Sequence, residues 1–214
     1  MLRQRLTSEH LPAQVPPAQR ARLWAEQLAA VGLCFDFPNP NQFSGTLDVA
    51  AFPGATVTRV SASSAIAHRQ QAQVARDSED QVILFFNDDG ARKQARQNGR
   101  AVDLAVGQVT LLDHTIAHVC DARDGGAATG VLLPKAELEA SGVDLTRAFC
   151  RDHHTSGALG LLRVYAATIL EQPTPGDRDL HETARQHLVE LAVLAFGGKA
   201  DALARAREHG ARAA

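Results

Sequence analysis

The stretch Gly107-Gln-Val-Thr-Leu-Leu-Asp113-His114-Thr-Ile-Ala-His118 decides how the rest of this chain is read. A glycine able to turn the chain, a β-rich apolar run and a turn bearing two histidines together predict one hairpin of a small antiparallel β-barrel. Outward from it, strands are expected at residues 47–51 and 56–62 around the Pro53-Gly54 turn, then at 81–87, 101–104, 109–112, 118–121 and 128–133. Residues 81–87 are apolar on both faces and form the buried centre of the sheet. Asn98-Gly99, between two extended runs, is the strongest hairpin signal in the chain.

The flanks change period. Residues 1–14 are an extended lead, and Pro16-Pro17 open a helix over 18–31 whose Leu23, Trp24, Leu28 and Val31 share one face and close an end of the barrel. After Pro134 come a short helix over 136–140, a long one ending at Leu170 with Leu159, Leu162, Ala166 and Ile169 on one stripe, and a second reaching Phe196. Leu180, Ala184, His187 or Leu188, Leu191 and Leu194 supply the stripe of that second helix. The 172–176 connection is short, so the two form an antiparallel pair.

Composition bounds the function. The chain has 214 residues, 45% of them hydrophobic and 21% charged, with a net charge of -2, so no charge excess drives nucleic-acid or membrane binding. Its longest apolar runs fall far below the roughly 20 residues of a membrane helix, and the basic start leads into no apolar signal core. A cytoplasmic protein is expected. Cys34, Cys120 and Cys150 are odd in number and widely spaced, which encodes neither a disulfide framework nor a zinc knuckle.

In this order the Trp24 helix, the His68-Arg69 stretch, the Gly107 to His118 segment, the Leu132-Leu133-Pro134 exit and the paired helices resemble the N-terminal half of AraC/XylS-type transcriptional regulators. The resemblance implies an α+β fold: a cupin-like antiparallel β-barrel with an N-terminal helix and a C-terminal antiparallel helix pair. It divides the chain into lead helix and barrel (1–133), a helical dimerisation part (134–198) and the start of a linker (199–214). It further implies a small-molecule effector in the barrel, a homodimer through the helices, and DNA contact only through a helix-turn-helix half that would follow Ala214.

The candidate ligand-binding residues are Trp24, Arg59, His68, Phe85, Arg96 and His118, since small-molecule pockets are apolar with a few orienting polar groups. An arginine among them would suit a carboxylate, which its planar fork pairs bidentately. Leu159, Leu162, Leu188, Leu191 and Leu194 are the candidate dimer contacts, competing with packing inside the chain. No catalytic residue, cofactor or metal set is expected. A cupin enzyme carries G-x5-P-x-G-x2-H; here Gly107 and His118 fit, but Asp113 and Thr115 replace the proline and glycine, and His68 lacks an H-x-H. Two other readings stay open: a divergent metal-dependent cupin using His68, His114 and His118, and a stand-alone dimerisation partner of full-length regulators. The acids Asp88-Asp89 and Asp77 with Glu79-Asp80 fall in turns and read as solvated, as do His153-His154.

Overall fold

The computed structural model describes residues 2–30, 33–76, 80–154, 157–171 and 178–198. Among the described residues twelve strands, β1 (Leu2–Thr7), β2 (Cys34–Asp36), β3 (Gly45–Phe52), β4 (Ala55–Ala62), β5 (Ala65–Arg69), β6 (Gln81–Asn87), β7 (Lys93–Gln97), β8 (Arg100–Leu104), β9 (Gln108–Asp113), β10 (His118–Ala122), β11 (Gly126–Pro134) and β12 (His153–His154), carry the fold. The helices are α1 (Pro17–Ala30), α2 (Gln71–Val74), α3 (Lys135–Ala140), α4 (Leu145–Ala148), α5 (Ala158–Glu171) and α6 (Arg178–Ala195). The expected start of a linker (199–214) and the 172–176 connection lie outside the described residues.

The strands pair into two antiparallel sheets, ordered β1-β3-β4-β11-β6-β9-β12 and β2-β5-β10-β7-β8. This pairing joins no strands into one closed ladder among the described residues; the expected barrel is instead a pair of sheets facing across a cavity. The expected lead 1–14 is in part an edge strand, β1 pairing with β3 along its whole length. Residues 65–69 also form a strand, β5, which lies between β2 and β10 in the smaller sheet.

The Gly107 to His118 segment is not a hairpin. β9 pairs with β6 and β12 in the larger sheet, whereas β10 pairs with β5 and β7 in the smaller, so the histidine-bearing turn carries the chain from one sheet to the other. Beside the backbone bonds from His114 N–H to the Gln81 carbonyl (2.9 Å) and from Ile116 N–H to the Asp113 carbonyl (3.3 Å), side chains hold this corner. Gln97 accepts from the Asp113 amide at 2.9 Å and donates to its carbonyl at 2.6 Å, while the Asp113 carboxylate accepts from the Thr115 amide (2.9 Å), the Thr115 hydroxyl (2.6 Å) and Lys135 Nζ (2.9 Å). Burial acts to raise the Asp113 carboxyl, yet the bonds from Thr115 and Lys135 hold it below the usual carboxylate range.

Alternation gives each strand of the larger sheet two faces. Ala50, Phe52, Val57, Val82, Leu84, Phe86, Val109, Leu111, Val131 and Leu133 pack on α5 and α6, meeting Leu159, Leu162, Ala166, Leu188, Val189, Ala192 and Val193. The stripe of α5 is as expected. On α6 it turns by part of a residue pitch: Val189, Ala192 and Val193 are buried while Leu180 and Leu194 are exposed. The Asn98-Gly99 turn forms as expected, with both residues at positive φ (50° and 74°), closing the β7–β8 hairpin.

Asp80 is exposed, as expected, but Asp88 and Asp89 are half-buried and paired rather than solvated. Lys93, fully buried, donates to Asp89 Oδ1 at 2.9 Å and to the Gly125 carbonyl at 2.8 Å, and Asp89 also accepts from the Ala127 amide. Asp88 accepts from the Thr129 hydroxyl at 2.6 Å and lies 3.7 Å from Arg163 of α5. A buried lysine persists only because this carboxylate and backbone carbonyl meet it. His153 is half-buried, bonded to the Ala148 carbonyl at 3.0 Å and edge-on to Phe196, while its neighbour His154 is exposed. Asp77 and Glu79 lie outside the described residues.

Candidate functional site: a cavity between the sheets

The two sheets enclose a cavity of about 360 Å³, within the range of small-molecule sites, roughly 300–1,000 Å³. Its walls follow from strand parity. Thr56, Thr58, Val60 and Ala62 of β4, Gly126, Ala128, Gly130 and Leu132 of β11, and Ile83 and Phe85 of β6 line it from the larger sheet. Ala65, Ala67 and Arg69 of β5 and His118, Cys120 and Ala122 of β10 line it from the smaller. Small side chains dominate the wall, and that is why space remains between the layers. Gly130 belongs to this thrift: a Cβ there would come within 2.7 Å of the Thr58 hydroxyl.

The polar end gathers at the sheet-crossing corner. His114 and His118 stand with ring centroids 5.3 Å apart, and Arg69 Nε donates to the His114 carbonyl at 2.7 Å. The His118 Nδ1 lies 3.0 Å from the Ile116 carbonyl. A carbonyl only accepts, so Nδ1 carries the hydrogen and Nε2 a lone pair. Burial pushes the His118 pKa down, and the Arg69 charge adds to this, outweighing the opposing pull of the Ile116 and Asp113 groups. The ring is therefore neutral at pH 7. On the same strand, burial drives the Cys120 thiol up to about 12, leaving it protonated and unreactive.

Of the six candidate ligand residues, three line the cavity: His68, Phe85 and His118. His68 also sits 2.9 Å from Asp36 Oδ2. Arg59 has the opposite parity to Thr58 and Val60; it lies on the helix side, 3.9 Å from Glu171. Arg96 likewise alternates outward from Ala95 and Gln97, 3.5 Å from Asp121. Trp24 is fully buried but lines no part of the cavity; it packs against Phe37, Phe43 and Gly45, whose missing side chain makes room for the indole. Leu33 and Phe35 lie against that aromatic cluster and also line the cavity, so α1 closes the end at one remove.

The sequence reading missed Arg69, Cys120 and Thr58 as wall residues, and named His114 only in the metal-dependent alternative. Arg69 and Cys120 were within reach of simple alternation, two residues from Ala67 and from His118. Among the described residues no group of three or more His, Cys, Asp or Glu side chains is placed to hold a metal ion. Among them, too, no helix is long and apolar enough to cross a membrane.

Three of the candidate dimer residues, Leu159, Leu162 and Leu188, are buried in the chain's own core; Leu191 is half-buried and Leu194 is 54% exposed. Leu161 and Val164 of α5, 63% and 61% exposed, are the larger outward apolar groups of the helix pair.

Among solved structures, that of the AraC-like transcriptional activator CuxR superposes with a TM-score of 0.70, at 14% identity, over 92% of this chain and 71% of that one. The chain shares the fold of an AraC-like activator. The Clostridium difficile EutQ protein matches at TM-score 0.35 and 13% identity over 46% of this chain and 74% of that one. A cupin-2 domain of Rhodospirillum rubrum matches at 0.30 and 12%, over 65% and 88%. At such scores neither carries an argument about this chain. No family model matches the chain, and no curated protein matches it in sequence.

Proposed function

We propose that this chain is the sensing and dimerisation part of an AraC-type transcriptional regulator, taking a small organic effector into the cavity between its sheets. The observation that carries the reading is the cavity itself: about 360 Å³, walled by small apolar residues and ending in His114, His118 and Arg69. Such a wall binds and orients; the neutral His118 and the protonated Cys120 offer no activated nucleophile, so the part played is binding rather than catalysis. The outward Leu161, Val164 and Leu194 of the helix pair would meet a second copy about a two-fold axis. DNA contact would belong to a separate helix-turn-helix half, as the resemblance to AraC/XylS-type regulators implies, and the setting would be the cytoplasm.

Native mass spectrometry of the purified chain tests this reading. A dimer that becomes a monomer in Leu161→Glu, and that retains or takes up a small organic adduct, is the expected result. A monomer in the wild type, or a stoichiometric transition metal on the chain, would contradict it.

A further inference from the structure

The cavity wall changes character along the strands. On the smaller sheet Ala65 pairs with Ala122, Ala67 with Cys120 and Arg69 with His118, so three successive rungs run from methyl groups to a charge. The larger sheet changes in the same way: Ala62 pairs with Gly126, Val60 with Ala128, Thr58 with Gly130 and Thr56 with Leu132. Residues 63–64 join Ala62 to Ala65, and residues 123–125 join Ala122 to Gly126, which brings the two small-residue ends together. The turn after Asp113 joins the sheets at the other end, where His114 and, from α2, Gln73 also line the wall. The guanidinium of Arg69, the amide of Gln73 and the hydroxyl of Thr56 bring hydrogen-bond donors to that end. The side chains of Ala62, Ala65 and Ala122 can neither give a hydrogen bond nor accept one.

We infer that the cavity takes an elongated amphiphile lying along the strands, its oxygen-bearing head at the Arg69 and Thr56 end and its alkyl or alkyl-aryl tail reaching Ala65 and Ala122. This rests on the cavity being a ligand site. Length and volume set the size. The four residues from Ala65 to Arg69 span about 13 Å, at roughly 3.3 Å per residue. The cavity's volume of about 360 Å³ holds about a dozen non-hydrogen atoms, at roughly the 30 Å³ that a water takes in the liquid. Burial sets the direction: a polar head at the alanine end loses its water and finds no side-chain partner, whereas a methylene is stabilised there. A carboxylate and a hydroxyl share the chemistry the other end calls for, an oxygen that accepts hydrogen bonds.

Four probes titrated calorimetrically into the full chain test the direction: phenol, para-propylphenol, para-propylbenzoate and para-(hydroxyethyl)phenol. Each added methylene is expected to tighten binding about fourfold, so para-propylphenol should bind well over tenfold more tightly than phenol. The hydroxyethyl probe has the same length but a polar tail, and should fall about tenfold below para-propylphenol. Para-propylbenzoate beside para-propylphenol tells a carboxylate head from a hydroxyl one, and at least one of the two must show the gain from the chain. In the bound state, nuclear Overhauser contacts should join the propyl methyl to Ala65 and Ala122, and the ring protons beside the hydroxyl to Ala51, which pairs with Thr56. Ala65→Leu, which fills the tail end, should remove the gain from the propyl chain while phenol still binds. Contacts in the reverse sense, a propyl chain that adds nothing, or a hydroxyethyl probe as tight as para-propylphenol would overturn the direction while leaving a ligand cavity in place. Binding of none of the four would overturn both. The comparison among probes in the wild type stands even if Ala65→Leu fails to fold.

Discussion

The two faces of the larger sheet are made by the same strands and built to opposite ends. Toward α5 and α6, alternate residues are Val57, Leu84, Phe86, Leu111, Val131 and Leu133, all fully buried; toward the smaller sheet, their immediate neighbours are Thr58, Ile83, Phe85, Gly130 and Leu132. One face fills space and the other leaves it. Stability is thereby concentrated on the helix side, at interior packing density, and the cavity side gives up burial for room. The two jobs separate cleanly only because side chains alternate along a strand, so that neither face constrains the residues of the other.

This contrast breaks most visibly on the filled side. Leu162→Ala removes a fully buried side chain from the helix face, and a loss of about 3–5 kcal/mol in urea unfolding is expected, with the cavity's binding unchanged in whatever fraction remains folded.

A smaller effect belongs to the corner where the chain leaves one sheet for the other. Asp113→Asn keeps the Thr115 turn but discharges the partner of Lys135, for a cost of about 1–3 kcal/mol at pH 7. The sign with pH follows from the lowered carboxyl: the folded state binds the proton less readily than the unfolded, so the stabilisation is complete above about pH 4 and fades as the pH falls further. The gap between wild type and Asp113→Asn in denaturation should therefore narrow below about pH 4. A gap independent of pH would place the cost in packing instead.

Least costly is a change on the open side, and it should have the opposite sign. Ala128→Val puts two methyl groups into the cavity; cavity filling of this kind raises stability by about 0.5–2 kcal/mol while reducing the room left for a ligand. The same enlargement at Ala192, fully buried under the helices, should instead destabilise, because no space waits for it.

How far the sequence could be read divides along the same line. Local chemistry was legible: Asn98-Gly99 demanded positive φ and formed its hairpin, Pro53-Gly54 turned β3 into β4, and the α5 stripe through Leu159, Leu162 and Ala166 is the buried one. Facing was less so. Phe85 and Phe86 are chemically alike, and only register places the first on the cavity and the second on the helices. Arg59 and Arg96 were assigned inward on residue type; strand parity sends both outward to Glu171 and Asp121. β1 and β5 carried too little apolar alternation to stand out, since an edge strand and a small-residue cavity strand lack the pattern that marks a core strand. The segment from Gly107 to His118 has the composition of a hairpin. What makes it a crossing between sheets is Gln97, ten or more residues away, taking both backbone bonds of Asp113.

The measurement that bears most directly on the division between a filled and an open face is a titration with phenol followed through the alanine methyl signals of the chain. Ala62, Ala65, Ala67 and Ala128 line the cavity, and Ala50, Ala55, Ala166 and Ala192 lie in the helix-side core. Saturable shifts confined to the first four are the expected result. Equal shifts in both sets, or shifts in neither at millimolar phenol, would contradict the division of labour between the two faces.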